Sequence, residues 1–369
     1  MALLHMMLDM RERYNVIPSV LVTSEGELSE RCRENGIEAF CTKFYNWQSS
    51  GGLKARIKGI MKQAVNRVLY HRRILSLLHG RKFDIIHTNA SVTETGSLIA
   101  RKLHVPHVWH IREYGLEDYN LHYMQPMSIV RAHYARAAKV VAISQSIYKS
   151  YVSQKKILSA KNTVCIPNGL KVPGEYPKTY THNGRVNFCM TGLVYPGKNI
   201  LMALRACNEL KALTDKFTLH IIGNDTGEYS DMLKDYVHTH GLEGHVKFWG
   251  FRRDVWDVLR DMDVGLMLSK REAFGRVTVE YMMSYMPVIG VDTGGTPEIV
   301  ADGKTGFIVP LDDASRLSEV MHRFIMNPGL LEEMGRKGRE RAVNNFSLER
   351  NTDAVYSLYQ EVLALQPIR

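Results

Sequence analysis

The chain has 369 residues, 45% hydrophobic and 23% charged, with a formal net charge of +10; this usage excludes a disordered chain and a fibrous repeat, and the length calls for two domains. Five scattered cysteines, Cys32, Cys41, Cys165, Cys189 and Cys207, form no C-x-x-C pair, which excludes a zinc ribbon or a disulfide scaffold and fits a reducing compartment. The charge is lopsided, with 26 Lys and Arg against 13 Asp and Glu up to Lys178, and 22 against 25 beyond it.

Residues 2–8 are apolar but short, and Asp9 stops them, so they make no signal peptide. Leu3, Met6, Met7 and Met10 recur at helical spacing. The chain is therefore expected to open in an amphipathic helix rather than on the strand that starts most doubly wound domains. β-Branched runs predict strands over 16–23, 83–88, 107–111, 139–143 and 163–166, with helices over 93–103 and 144–152. Between Glu38 and Asp84 there is no acid, while Lys43, Lys54, Arg56, Lys58, Lys62, Arg67, Arg72, Arg73, Arg81 and Lys82 all occur. Within that stretch, residues 53–79 place Ile57, Ile60, Met61, Val65, Val68, Leu69, Ile74 and Leu75 at helical intervals among the bases. A basic amphipathic helix of this kind suits an anionic membrane surface; an apolar stripe packed on the sheet is the other reading, and the two can hold together. No nucleic-acid-binding motif occurs, so no nucleic-acid partner is expected. Nowhere do some 18 apolar residues run together.

Residues 167–184 hold three prolines and three glycines and predict a linker. A second series follows, with strands over 186–191, 218–222, 246–248, 264–268, 288–291 and 306–309 and helices over 200–213, 229–240 and 277–285. Beyond Leu311 the chain is expected to be helical to its end. Two doubly wound domains facing each other across a cleft follow from this alternation, with ligands at the carboxyl ends of the strands.

Chemistry concentrates in residues 269–310. After a strand ending near Leu268, Phe274-Gly275 open a helix, which presents backbone N–H groups as a phosphate seat. Glu272 precedes that helix and Glu280 lies inside it, a spacing that suits hydroxyl pairs at two ends of a sugar or ribose ligand. Gly294-Gly295 either make a turn or let backbone approach a ligand.

E-x7-E with F-G inside it, then P-V-I, G-G-T-P-E-I-V and G-F-I-V-P, resembles the nucleotide-sugar site of retaining GT-B glycosyltransferases of the family 4 type. Upstream, Thr191-Gly192 with Lys198-Asn199, Ile221-Ile222-Gly223 and the segments 246–251, 142–146 and 166–169 extend the resemblance over most of the chain. It implies an α/β GT-B fold of two facing Rossmann-like domains: 1–170 for the acceptor, a linker 171–184, 185–350 for the donor, and a helix 351–369 returning to the first domain. It also implies His110, Glu272 and Lys198 as catalytic residues, and Glu280, Phe274, Gly275, Gly192, Lys198, Arg276 and Phe251 as donor contacts. No metal and no cofactor are expected.

The implied reaction moves a sugar from a UDP- or GDP-linked donor to a glycan or polyprenyl-diphosphate-linked acceptor, with retention, in a cytoplasmic protein lying on the inner face of the membrane. Two departures stand out. Leu193 replaces an arginine that in the family pairs with the diphosphate, unless Arg276, Arg252 or Arg112 substitutes. The family's first strand and its glycine-rich loop have no counterpart, so a truncated product or a misplaced start is expected. The alternatives are a nucleotide-sugar-binding protein without turnover and a nucleotide-sugar epimerase of the same fold.

Overall fold

The computed structural model describes residues 2–51, 53–176, 178–180 and 184–365, without the side chains of 53–56 and 67. The side chains of Lys54, Arg56 and Arg67 in the basic stretch, part of the linker and residues 366–369 of the expected last helix therefore lie outside what is described. The chain divides into two compact units. One holds the described residues up to Lys171 together with those from Leu348 on, and the other runs from Val172 to Ser347.

The first unit contains β1 (Ser19–Val22), β2 (Glu38–Cys41), β3 (Gln48–Ser49), β4 (Ile86–Thr88), β5 (His107–Ile111), β6 (His122–Tyr123), β7 (Lys139–Ala142) and β8 (Thr163–Cys165). β4, β5, β7 and β8 pair in that order as a parallel sheet, β1 and β2 form a separate parallel pair, and β3 and β6 an antiparallel one. No described strand joins β1 to β4. The opening segment is helical over Ala2–Tyr14, and its methionines divide between two cores. Met6 and Met10 pack with Val108, Val141 and Val355, while Leu4 and Met7 pack with Val20 and Ile37. β2, β3 and β6 escaped the sequence reading because each has at most four residues and too few buried positions to show a period of two.

The second unit contains β9 (Val186–Thr191), β10 (Phe217–Ile222), β11 (Val246–Phe248), β12 (Val264–Met267), β13 (Val288–Val291) and β14 (Gly306–Val309). They form one parallel sheet in the order β11-β10-β9-β12-β13-β14. Every residue of β10, β12 and β13 is buried, as expected for strands covered by helices on both faces. The core gathers Phe188, Phe217, Leu219, Leu266, Ile289 and Phe324. The predicted final helical stretch is three helices, Ala314–Met326, Gly329–Phe346 and Leu348–Ala364. The last belongs to the first unit: Tyr356 stacks on Tyr14 at 3.9 Å, Asp353 pairs with Arg13 at 2.6 Å, and the Leu348 N–H donates to the Leu170 carbonyl at 2.8 Å.

Candidate functional site

In the second unit the chain leaves β9 toward β10 and β11 on one side, then returns to β12, β13 and β14 on the other. The switch point lies between β9 and β12, where the loops after parallel strands open a crevice. Thr191-Gly192 follow β9, Gly223 follows β10, residues 268–275 follow β12 and residues 292–295 follow β13. These four loops tie to one another through backbone. Gly192 N–H donates to the Ile222 carbonyl at 2.9 Å, Lys270 N–H to the Gly197 carbonyl at 2.9 Å, and Gly295 N–H to the Glu272 carbonyl at 2.8 Å.

The two glycines left open by sequence have a definite task. Gly294 has φ +60°, and a Cβ there would stand 2.3 Å from the Glu272 carbonyl oxygen. A Cβ on Gly295 would stand 2.7 Å from the Phe274 oxygen. Both let backbone come close, and what they approach is the loop that carries Glu272.

Lys198 ends a single 3-10 turn, Pro196–Lys198, and its ammonium lies 3.0 Å from the Glu272 carboxylate. The family resemblance names both residues as catalytic; the structure shows them as partners of each other. Gly275 (φ +102°) caps the helix Arg276–Met283, where the first N–H groups lack intrahelical acceptors. Phe274 is buried edge-on against Phe346 at 5.7 Å, so its ring is a packing anchor, and its amide is what remains for a ligand.

Glu280 is partly buried, and burial raises its pKa above the ordinary carboxylate range; Arg276, one turn earlier and 3.9 Å away, works against that shift. Arg252 forms a two-pronged pair with Asp254 and is thereby engaged, whereas Arg276 is exposed beside Glu280. Leu193 and Phe251 are exposed, the latter at 70%. A shallow pocket is lined by Gly192, Leu193, Lys198, Leu268 and Ser269. Among the described residues no group of three His, Cys, Asp or Glu could hold a metal ion.

Sequence reasoning missed Tyr281. Its buried hydroxyl accepts from the Thr191 N–H at 2.7 Å and lies 3.1 Å from the Thr191 hydroxyl, which fixes the end of β9 against the helix carrying Glu280. No local signal marks it, because a tyrosine beside Glu280 reads only as one more apolar helix position.

In the first unit, Arg112 follows β5 and bonds to Asn89 at 2.7 Å and to Asn168, so it joins the carboxyl ends of β4, β5 and β8. His110 is wholly buried within β5, and neither ring nitrogen has a hydrogen-bond partner among the described residues. Burial holds its pKa well below the ordinary histidine value. Its ring lies 5.4 Å from that of His87, whose Nδ1 meets the Tyr359 hydroxyl at 2.5 Å. The structure therefore places this imidazole inside the sheet, away from solvent and from any partner among the described residues.

Two family models match side by side: a glycosyl transferase 4-like domain over residues 9–169, and glycosyl transferases group 1 over residues 176–341. Among curated relatives, N-acetyl-alpha-D-glucosaminyl L-malate synthase of Bacillus anthracis is 28% identical over 42% of this chain and 40% of its own length. The lipopolysaccharide core biosynthesis mannosyltransferase LpcC of Rhizobium leguminosarum bv. viciae is 29% identical over 47% of this chain and 50% of its own. The chain thus spans about half the length of the curated relatives it matches. Among solved structures, HepE of Anabaena in complex with UDP superposes with a TM-score of 0.79 at 17% identity, over 98% of this chain and 95% of that one. With one model on each half and a solved fold that follows nearly the whole chain, the protein belongs to the group 1 glycosyltransferases of the GT-B fold.

Proposed function

We propose that this protein transfers a sugar from a UDP- or GDP-linked donor to a glycan or polyprenyl-diphosphate-linked acceptor, with retention of anomeric configuration. The observation that carries the reading is the convergence of Lys198, Glu272, Glu280 and the N-terminus of the helix Arg276–Met283 at the switch point of one parallel sheet. A cation, a phosphate seat and two carboxylates for hydroxyl groups are the chemistry a nucleotide diphosphate sugar needs. Glu280 takes the ribose hydroxyls, Glu272 the sugar, and Lys198 with the Phe274 and Gly275 amides the diphosphate; Gly192, Arg276 and Phe251 border the nucleotide. His110 is assigned a catalytic role by resemblance alone.

In the proposed course the bond between the anomeric carbon and the diphosphate oxygen breaks, and a bond to the acceptor oxygen forms on the same face. The acceptor's proton passes to the departing phosphate oxygen. Lys198 and the helix amides stabilise the charge that develops there, without a metal. A chelator should then leave the rate unchanged, and a rate abolished by chelation and restored by a divalent cation overturns the metal-free course. The names of the relatives support an acceptor in cell-surface polysaccharide assembly, and a cytoplasmic site of action accords with cytosolic nucleotide sugars.

The exposed Leu193 and the engagement of Lys198 by Glu272 favour one rival, a nucleotide-sugar-binding protein without turnover. A thermal-shift screen of nucleotide diphosphates and their sugars, followed by product analysis with the responding donor, separates the two. A stabilising donor that yields sugar transfer with retained configuration supports the proposal. Stabilisation without transfer or hydrolysis supports the rival, and no response to any nucleotide diphosphate sinks both.

A further inference from the structure

The basic stretch of the first unit folds as the helix Leu53–Val65, a π-helical turn Asn66–Tyr70 and the helix His71–Leu77. The second helix is anchored in the ordinary way, with Ile74 buried against Phe40, Leu78 and Ile99. The first is docked through its polar side. Gln63 and Asn66 are buried: the Gln63 amide donates to the Asn46 carbonyl, while Asn66 accepts from the Tyr45 N–H and donates to the Tyr45 carbonyl, both at 2.7 Å. Gly59, also buried, lies against Met124.

At about 100° per residue, Gly59 and Gln63 share one side of the helix Leu53–Val65, and Ile57, Met61 and Val65 the opposite side with Ile60 at its edge; Val68 and Leu69 follow in the π-helical turn that Asn66 opens. All six of those apolar residues are exposed, Met61 at 67%, Leu69 at 61% and Ile60 at 56%. The expected stripe is thus divided: Ile74 packs into the unit, while the part from Ile57 to Leu69 does not. Lys58 and Lys62 flank the apolar side, and Arg72 and Arg73 are exposed on the next helix. No acidic residue occurs between Glu38 and Asp84 to oppose them.

We infer that this inverted helix is a docking face for an anionic lipid bilayer. An outward apolar stripe six side chains long is unfavourable in water, and a rim of bases with no acid selects an anionic rather than a neutral apolar partner. The side chains enter the headgroup boundary, the lysines and arginines stay at the phosphate level, and the polar contacts at Tyr45 and Asn46 hold the helix to the unit. No helix among the described residues is long and apolar enough to cross a membrane, so binding is interfacial and reversible.

The test is co-sedimentation of the full chain with phosphatidylcholine vesicles, with and without phosphatidylglycerol. Binding is expected only with phosphatidylglycerol, and it weakens with added salt, whose screening length is about 8–10 Å at physiological strength. Lys58→Gln with Lys62→Gln should weaken it by about 25-fold, taking about fivefold per base at an anionic surface. Ile60→Gln, Met61→Gln and Leu69→Gln together should weaken it by at least tenfold. These positions are solvent-facing, so both variants should keep the parent's melting midpoint and its thermal shift with UDP, which keeps the result independent of the donor proposal. Absent binding, or equal binding to neutral vesicles, overturns the inference. So does a parent dimer in solution that the triple apolar variant disperses, because the face then serves a second copy.

Discussion

The ion pair between Lys198 and Glu272 makes the donor proposal testable at one atom pair. At 3.0 Å, two unit charges attract by about 5 kcal/mol at an effective dielectric of about 20. Hydration and side-chain ordering reduce a pair that remains partly exposed to about 0.2–1 kcal/mol net. A diphosphate that recruits Lys198 must loosen this pair and approach the Glu272 charge. Glu272→Gln removes both obstacles, so bare UDP should bind about 1.4- to fivefold more tightly, the ratio equivalent to that energy. Intact donor should lose its sugar contact and turn over more slowly. Lys198→Ala should weaken UDP binding and lower transfer by about tenfold to a thousandfold, the range for removing one preorganised stabiliser of developing charge. The double variant should resemble Lys198→Ala alone, because the gain from Glu272→Gln acts through the lysine. Calorimetry with UDP and with the responding donor reads all three. If Glu272→Gln weakens bare UDP as much as Lys198→Ala does, the pair is not the element that opens to the diphosphate.

Glu280→Gln should raise the melting midpoint at pH 7 while weakening nucleotide binding. Burial raises the folded-state pKa of Glu280, so its ionisation opposes folding, and this penalty disappears as pH falls through the raised pKa; a midpoint lowered at pH 7 contradicts this. Gly294→Ala puts a Cβ 2.3 Å from the Glu272 carbonyl oxygen at a left-handed φ. It should destabilise by about 1–3 kcal/mol and reduce donor-dependent more than bare-nucleotide binding, and an unchanged donor affinity would show that the 292–295 loop does not position Glu272. The first unit should be acid-labile. Burial depresses His87 and His107 to about 3 and His110 well below its ordinary value, whereas in an unfolded chain histidines take protons near pH 6.5. Stability is full above that value and falls as the pH drops toward 3, because each unfolded histidine takes a proton that its buried counterpart refuses. Emission from the buried Trp47 and Trp109 should shift to the red as the pH drops below 6, and emission unchanged down to pH 4 would contradict this account.

The sequence by itself determined the alternation of strands and helices in the second unit, whose strands β10, β12 and β13 are wholly buried and therefore read as mainly apolar runs. It also determined the opening amphipathic helix and the carboxylates of the 269–310 segment, because F-G, P-V-I and G-G-T-P-E sit at fixed spacings along the chain. Only the tertiary structure decided that Lys198 faces Glu272, that Tyr281 holds the end of β9, and that His110 is sealed inside its sheet. Each of those facts joins or encloses residues brought together by the pairing of distant strands, and no local period records such pairing. The helix of the basic stretch shows the limit most clearly. Periodicity located an apolar stripe over 57–75, but periodicity is blind to which side of a helix faces inward. Here the hydrogen bonds of Gln63 and Asn66 with the backbone of residues 45 and 46 turned the polar side in and left the apolar side in solvent.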